Sequence, residues 1–583
     1  MKGLRYQYSK VTTPSLNEKG RGVVLLLSLL FLLISCSPSI PTSFTEVSRE
    51  PVVSPDNSGA TLPPNIAPLN FRIEEDATDF VTRLHSERGG ELIVAGKDVD
   101  IDVDDWHTLL DQTRGDSLVA DIYIKVNGSW QHFRPIRFFV AKEDIDPYIT
   151  YRLIRPSYVT YEELTINERS LESFDERVIY ENMRFEDSDQ GQCINCHLPR
   201  NWNQQQESQF HVRQAFGGTV FMHGNQATKI NLKTDSTLSA GVYPAWHPKL
   251  NLIAYSVNET GQVFHTLDPQ KVEVIDYASD LILYDLDANT VQHIDRSASE
   301  FESFPAWSPD GRTLYYISAH YTPRADDIDA DLDTYYDQLH YNIYARDFDL
   351  VSRRVGPRRL VFDAEALGKS ASVPRVSPDG KYLLFTLADY GQFHIWHKSA
   401  DLWLLPLDSA GQAPLPSTSN GTRAYQHWYE EIPLVVHDST TCGTAAHPMT
   451  LAHPLLDVNS PEAESYHAWS SNGRWILFSS RRDDGNYTRL YISYFDENGQ
   501  AHKPFLLPQR SADIDEELLR SYNAAEFLVQ PVQPSQRQLR KVIKTDARPA
   551  SYAGSALARP EADTTRMMRP QPTGERRGQA VGY

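Results

Sequence analysis

Four versions of one phrase divide the middle of this chain. Pro305-Ala306-Trp307-Ser308-Pro309-Asp310-Gly311 is the fullest. Pro244-Ala245-Trp246-His247-Pro248, Pro374-Arg375-Val376-Ser377-Pro378-Asp379-Gly380 and His467-Ala468-Trp469-Ser470-Ser471-Asn472-Gly473 vary it. Each runs into an apolar stretch: Leu252 to Ser256, Thr313 to Ser318, Tyr382 to Thr386 and Trp475 to Ser480. A second echo follows, as Asp280 to Tyr284, Asn342 to Tyr344, Asp401 to Trp403 and Arg489 to Tyr491. A turn followed by two strands, repeated, is the signature of a β-propeller blade. Proline fixes φ in such a turn, Asp bonds its own backbone, and Gly takes the positive φ that closes it. The phrase therefore carries architecture and no catalysis. Spacings of 61, 69 and 93 residues between successive copies exceed a plain blade of roughly 40–50, so long loops are inserted.

A different constraint lies upstream, in Cys193-Ile194-Asn195-Cys196-His197. C-x-x-C-H is the spacing of covalent c-type haem attachment, with two thiols for the porphyrin and the histidine beneath the iron. A redox dithiol, half of a zinc site and coincidence are the competing readings. Zinc wants a second Cys/His cluster, which the sequence does not show. A dithiol of the thioredoxin kind sits in a βαβ unit, whereas polar, Pro-containing sequence surrounds this one. Haem, one and covalent, is the expectation, with Cys193 and Cys196 attached and His197 as proximal ligand. The other axial position falls to His211 or Met222. Methionine there gives a higher potential than a second His. His223, His132 and His247 are more distant candidates.

The haem reading needs an exported chain. Lys2, Arg5, Lys10, Lys19 and Arg21 form a basic leader, and Val23 to Ile34 is an apolar run of twelve residues. A bilayer span wants about 20, so the run reads as a signal peptide. It ends in Leu33-Ile34-Ser35-Cys36, which resembles a bacterial lipobox; the resemblance implies cleavage before Cys36 and a lipid on it. An ordinary signal peptide with an incidental Cys is the alternative. With Cys36, Cys193 and Cys196 assigned, only Cys442 remains, so no internal disulfide framework is expected. A formal charge of −21 argues against general nucleic-acid binding.

The expected division is a signal peptide at 1–36, a Ser/Pro/Thr-rich flexible tether at 37–70 and a β-sandwich-like domain at 71–185. A haem segment follows at 186–235, then a propeller at 236–533 and a disordered, basic tail at 534–583. Within the β domain, Asp98-Val99-Asp100-Ile101-Asp102-Val103-Asp104 alternates like a half-buried strand, and Asn127-Gly128 marks a hairpin turn. Ser173-Phe174-Asp175-Glu176 has the form of a capping box opening a short helix through about Asn182. About 40 residues between the thiols and the first repeat are too few for a free-standing cytochrome, so the haem is expected between the β domain and one propeller face.

The Pro-Asp-Gly units resemble those of TolB-like propeller proteins. The order of elements resembles a family of exported lipoproteins with a β domain, a C-I-N-C-H segment and a TolB-like propeller. Phe210-His211-Val212-Arg213 with Gly217-Gly218-Thr219, and Glu464 to Gly473 running on to Asp483-Asp484-Gly485-Asn486-Tyr487, carry that likeness over roughly residues 130 to 530. It implies about six blades, of which four are visible, with more built from 214–235 and 500–530. It also favours His211 as the distal ligand. The fold class that follows is mainly β. The likeness says more of architecture than of activity. The lipobox, one haem and no visible catalytic constellation lead to the expectation of a periplasm-facing lipoprotein held in the membrane by its lipid. Ser37-Pro38 in place of an Asp after Cys36 slightly favours the outer membrane. Such a lipoprotein would exchange electrons with a periplasmic or membrane redox protein. The alternative is a binding scaffold whose haem is structural or sensory.

Overall fold

The computed structural model describes residues 38–155, 163–182, 192–214, 216–265, 270–297, 299–322, 328–408, 411–412 and 452–554. Cys36, the leader and Cys442 lie outside them. The chain is mainly β. No helix among the described residues is long and apolar enough to cross a membrane.

The N-terminal region is organised on a seven-stranded sheet built around Asp116–Val126. In place of a β-sandwich, helix Val103–Thr113 packs on that sheet, beside a three-stranded sheet of Val53–Ser54, Phe71–Ile73 and Asp98–Val99. Asp102 caps the helix, its carboxylate accepting from the Asp104 and Asp105 amides, and Asp104 and Asp105 favour the first turn electrostatically. The acid/aliphatic alternation at 98–104 thus ends in a helix start. The decisive signal is Trp106, Leu109, Leu110 and Thr113, buried at helical spacing.

Residues 38–70 are no tether. Thr45–Val47 and Thr61–Leu62 pair in parallel at two edges of the large sheet, and Ala60, Leu62, Ile66 and Leu69 are buried in its core. Prolines are compatible with such short edge strands. Residues Glu176–Glu181 form a strand and not the expected helix. Ser173 Oγ instead accepts from the Asp175 amide in a turn that returns the chain to the sheet.

Six further sheets follow one another along the chain. Sheet I comprises Tyr148–Ile154, Thr165–Ser170 and Glu176–Glu181, joined by the distant strand Ser521–Leu528. Sheet II begins with Gln192–Pro199, sheet III with Val242–Trp246, sheet IV with Glu300–Trp307, sheet V with Ser370–Val376 and sheet VI with Glu464–Trp469. These five first strands, together with Ser521–Leu528, touch their neighbours in order from sheet II to VI and on through Ser521–Leu528 back to Gln192–Pro199. We call them the inner strands.

The repeated phrase ends the inner strands of sheets III to VI and forms the turn after each. Ser308 Oγ accepts from the Thr313 amide at 2.9 Å and donates to Asp310 Oδ1 at 2.6 Å, while the Arg312 amide donates to the same carboxylate. Ser377 with Asp379, and Ser470 with Asn472, repeat this network. At Gly311, φ is +73° and a Cβ would fall 2.4 Å from His247 Cε1, so glycine is required twice over. His247 Nδ1 accepts from the Lys249 and Leu250 amides, which leaves Nε2–H to donate to the Gly311 carbonyl at 3.0 Å. One repeat thereby grips the next.

The C-terminal expectation also changes. Helix Gln536–Ile543 carries a capping box between Ser535 and Gln538 and buries Leu539 and Ile543. Arg548–Pro549 and Ser551–Tyr552 then extend the outer edges of sheets II and III in parallel. Leu539 and Ile543, four residues apart, were the overlooked apolar anchors in an otherwise basic segment.

Candidate functional site

The thiol pair lies within a complete sheet and not in a connector. Gln192–Pro199 pairs with Glu207–Gln214, followed by Gly218–His223 and Gln226–Asn231. In an extended strand, residues three apart point to opposite faces, which would separate the thiols. A bulge removes that difficulty. Pairing jumps from Asn195↔His211 to Leu198↔Gln209, and Cys196 takes φ +51°. The two thiols are close enough for charge on Cys196 to raise the Cys193 pKa.

The same irregularity recurs in every inner strand. Tyr243, Phe304, Val373, Tyr466 and Ala524 all have φ between +47° and +51°, each at the jump in pairing register of its own sheet. Cys196-His197 therefore occupies the place that Tyr243-Pro244, Phe304-Pro305, Val373-Pro374 and Tyr466-His467 occupy elsewhere. Lining up Cys196-His197-Leu198 with Tyr466-His467-Ala468 gives this correspondence from sequence, although the missing Trp in the first unit hides it.

His197 is buried, and among the described residues both its ring nitrogens lack a hydrogen-bond partner. The Thr150 backbone lies near enough to favour the charged ring, but no contact has hydrogen-bond geometry. Burial, then the Arg152 charge, push its pKa down to about 3, so the imidazole is neutral and keeps a lone pair. Its counterpart His467 is equally buried but bonds the Leu384 carbonyl at 3.1 Å through Nε2. Burial also raises the Cys193 thiol, with Arg213 and Arg152 opposing the rise. Cys196 is half-buried, and its amide donates to Asn195 Oδ1 at 2.9 Å.

Register separates the two distal candidates. Residues directly opposite share a face, so His211 lies on the face of Cys193 and Asn195. His211 is buried, its Nδ1 is 3.2 Å from Thr219 Oγ1, and burial followed by the Arg213 charge depresses it to about 3. Met222 pairs with Ser208 and lies on the other face, packed with Ile194, Phe210 and Val220. The remaining histidines have other partners. His223 is exposed at an edge with Glu207, His247 holds the Gly311 turn, and His132 bonds Glu46 and Asp121 in the N-terminal sheet.

The two cysteines are expected to differ in reactivity. In folded protein without haem, an alkylating reagent at pH 8 should modify Cys196 at least about tenfold faster than Cys193, because buried thiols are poor nucleophiles. Peptide mapping after timed quenching measures this, and equal rates would contradict the burial difference.

No family model matches the chain, and no curated protein matches it. Among solved structures, similarity is found to a puromycin-hydrolysing peptidase of Mycobacterium tuberculosis, with 11% identity over 61% of this chain and TM-score 0.33. This chain spans 45% of that peptidase. An ACO/RPE65 chimera aligns at 11% identity over 78% of this chain and 95% of its own, TM-score 0.31. A DUF4784 family protein from Bacteroides caccae aligns at 7% over 79% and 97%, TM-score 0.24. None is close enough to carry an argument about fold or activity.

Proposed function

We propose that Cys193 and Cys196 hold one covalent c-type haem, with His197 as axial ligand, and that the protein transfers electrons as an exported lipoprotein anchored through Cys36. The observation that carries this reading is the His197 ring: buried, neutral and without a hydrogen-bond partner on either nitrogen among the described residues, next to two thiols at haem-attachment spacing. An unpartnered buried polar group costs about 1–3 kcal/mol, so an absent group that engages it would relieve a real penalty. The donor set fits haem. Among the described residues no group of three or more His, Cys, Asp or Glu is arranged to hold a free metal ion.

Bound haem would supply a one-electron couple. The chain's own contribution is to keep the His197 ring neutral by burial, so that it would hold the iron, and to place His211 on the Cys193 face, where it would serve as a second ligand. Arg152 and Arg213 place positive charge beside the thiols, which suits carboxylate groups on the porphyrin edge. The six sheets are inferred to be blades of a TolB-like β-propeller, closed by Ser521–Leu528 pairing with the first blade. Such a body would present the haem to a periplasmic or membrane redox partner.

The scaffold reading has its own support. Cys196-His197 has architectural counterparts in the other inner strands, His467 among them. On that view His197 is a packed residue and the propeller binds a partner regardless of haem.

Haem staining after denaturing electrophoresis, with a reduced-minus-oxidised spectrum, decides between them. The protein should be matured and exported in cells that attach c-type haem. Covalent haem with a low-spin spectrum is expected. His211→Ala should convert it to high spin, whereas Met222→Leu should leave it unchanged. Protein that folds and exports without covalent haem would sink the electron-transfer reading.

A further inference from the structure

A cavity of about 450 Å3 opens where all six inner strands come together. It lies within the range of about 300–1,000 Å3 typical of small-molecule sites. Its wall is indole. Trp246, Trp307 and Trp469 come from three of the four repeats, the third repeat giving Val376 in that place, and Trp202 comes from the turn after the thiol strand. Each indole N–H is already committed to a backbone carbonyl: Trp246 to Leu198, Trp307 to Ala245, Trp469 to Arg375 and Trp202 to Trp469. Other aromatic rings hold three of them from behind, Phe221 against Trp246, Phe348 against Trp307 and Phe495 against Trp469. The indoles are thus held in place and offer apolar aromatic surface with no free N–H of their own.

Asn201, Gln204, Ser308 and Ser471 add polar side chains to the lining, and an ion pair adds charge. Arg375 from sheet V and Glu526 from the closing strand meet at 2.8 Å, and both line the cavity. Their side chains remain 30% and 16% exposed. One guanidinium nitrogen and one carboxylate oxygen are used in the pair. The other donors and the second oxygen make no hydrogen bond among the described residues. Arg375 discourages a cationic ligand, Glu526 an anionic one, and together they present donors beside an acceptor. Lys249 adds a charge only at the rim.

We propose that this cavity binds a neutral saccharide of one or two pyranose rings. A pyranose has C–H faces that pack on indole and edge hydroxyls that both donate and accept, which matches the wall and the ion pair respectively. An extended proline-rich peptide would also pack on Trp and Pro surfaces, but the four indole N–H groups that would meet its carbonyls are spent, and its prolines have no N–H or O–H to donate to Glu526. The inference does not depend on haem at Cys193 and Cys196, since none of the residues it uses belongs to the thiol pair.

Calorimetric titration of the intact protein with maltose, cellobiose and N,N′-diacetylchitobiose tests it. Saturable binding of at least one is expected, at least tenfold tighter than glucuronate or glucosamine. Trp202→Ala and Glu526→Ala should each weaken it by about tenfold or more, which corresponds to about 1.4 kcal/mol. Trp202 also holds the Trp469 carbonyl, so Glu526→Ala is the decisive variant if Trp202→Ala folds poorly. Absence of saturable binding by all three sugars overturns the proposal. So does binding that survives Glu526→Ala unchanged, or a proline-rich peptide that binds the cavity where the sugars do not.

Discussion

Glu302→Gln is expected to stabilise the protein, by an amount that grows with pH. Glu302 lies on the inner strand of sheet IV, fully buried, and neither carboxylate oxygen has a hydrogen-bond partner among the described residues. Burial, then the like charges of Asp295, Asp280 and Glu300, push its pKa up to about 9. The folded state therefore holds the proton at neutral pH, whereas the unfolded chain releases it above about 4.5. A folded pKa raised in this way gives stability that is fully present below pH 4.5 and declines as pH rises towards 9. The slope is about 1.4 kcal/mol per pH unit for one proton. Glutamine keeps the shape and cannot ionise. The gain should be near zero at pH 5 and reach several kcal/mol by pH 8.5, read from urea midpoints at three pH values. A gain independent of pH would refute the protonated state.

The acid limb has a different origin and should not respond to that substitution. His197, His211, His394 and His467 are all held down to about 3 by burial. Their folded pKa is depressed, so below pH 6.5 the unfolded state binds protons that the folded state refuses. Their contribution is complete above pH 6.5 and is lost as pH falls towards 3. Glu464, which matches Glu302 in the repeat, is the useful contrast. It is equally buried but meets Arg482 at 3.0 Å and the hydroxyls of Ser460 and Ser480. Only Glu302 lacks such company, which is why its substitution carries the larger expected effect.

Much of this architecture was legible where a repeat unit kept its turn chemistry. Ser308, Asp310 and Gly311 announce their own hydrogen bonds, and Ser470 and Asn472 do so with one substitution. Sheet II is hidden within the expected haem segment at 186–235 because Leu198-Pro199 replaces Ala-Trp and no Pro-Asp-Gly turn follows it. Its strands are fixed by pairing with one another and with Arg548–Pro549, a long-range contact that local pattern does not encode. The same holds for Ser521–Leu528, whose partner Tyr148–Ile154 lies far back in the chain. At the site, spacing singled out Cys193, Cys196, His197 and His211. It gave no sign of the bulge that turns Cys196 and His197. The Arg375–Glu526 pair was equally invisible, because two inner strands far apart in sequence supply it.

Trp475→Ala is expected to be the most damaging single substitution, and its effect should spread beyond its own sheet. Trp475 is fully buried in a cluster shared by the N-terminal sheet and sheet VI, together with Trp106, Leu118, Ile492 and Phe527. Its indole N–H donates to the Asp144 carbonyl at 3.1 Å, and its ring packs on Tyr494, whose hydroxyl reaches Glu143. The repeat turn next to it also holds this segment: the Ser471 amide donates to Asp146 at 2.7 Å and Asn472 Nδ2 to the Asp144 carbonyl. The repeat phrase here has a second task, clamping residues 143–146 where the N-terminal region enters sheet I. Loss of a buried Trp typically costs about 3–5 kcal/mol, and here the cavity would open at the junction of the two regions. A chain of this length need not unfold in one step, so the measurement is the midpoint of each transition in urea together with cleavage mapping. Trp475→Ala should lower the first midpoint and expose the 141–147 segment to protease while sheets III to V still resist. Trp475→Phe, which retains most of the ring, should cost less than half as much. Uniform destabilisation of the whole chain, with no early cleavage near Asp144, would show that the two regions are not joined through this residue.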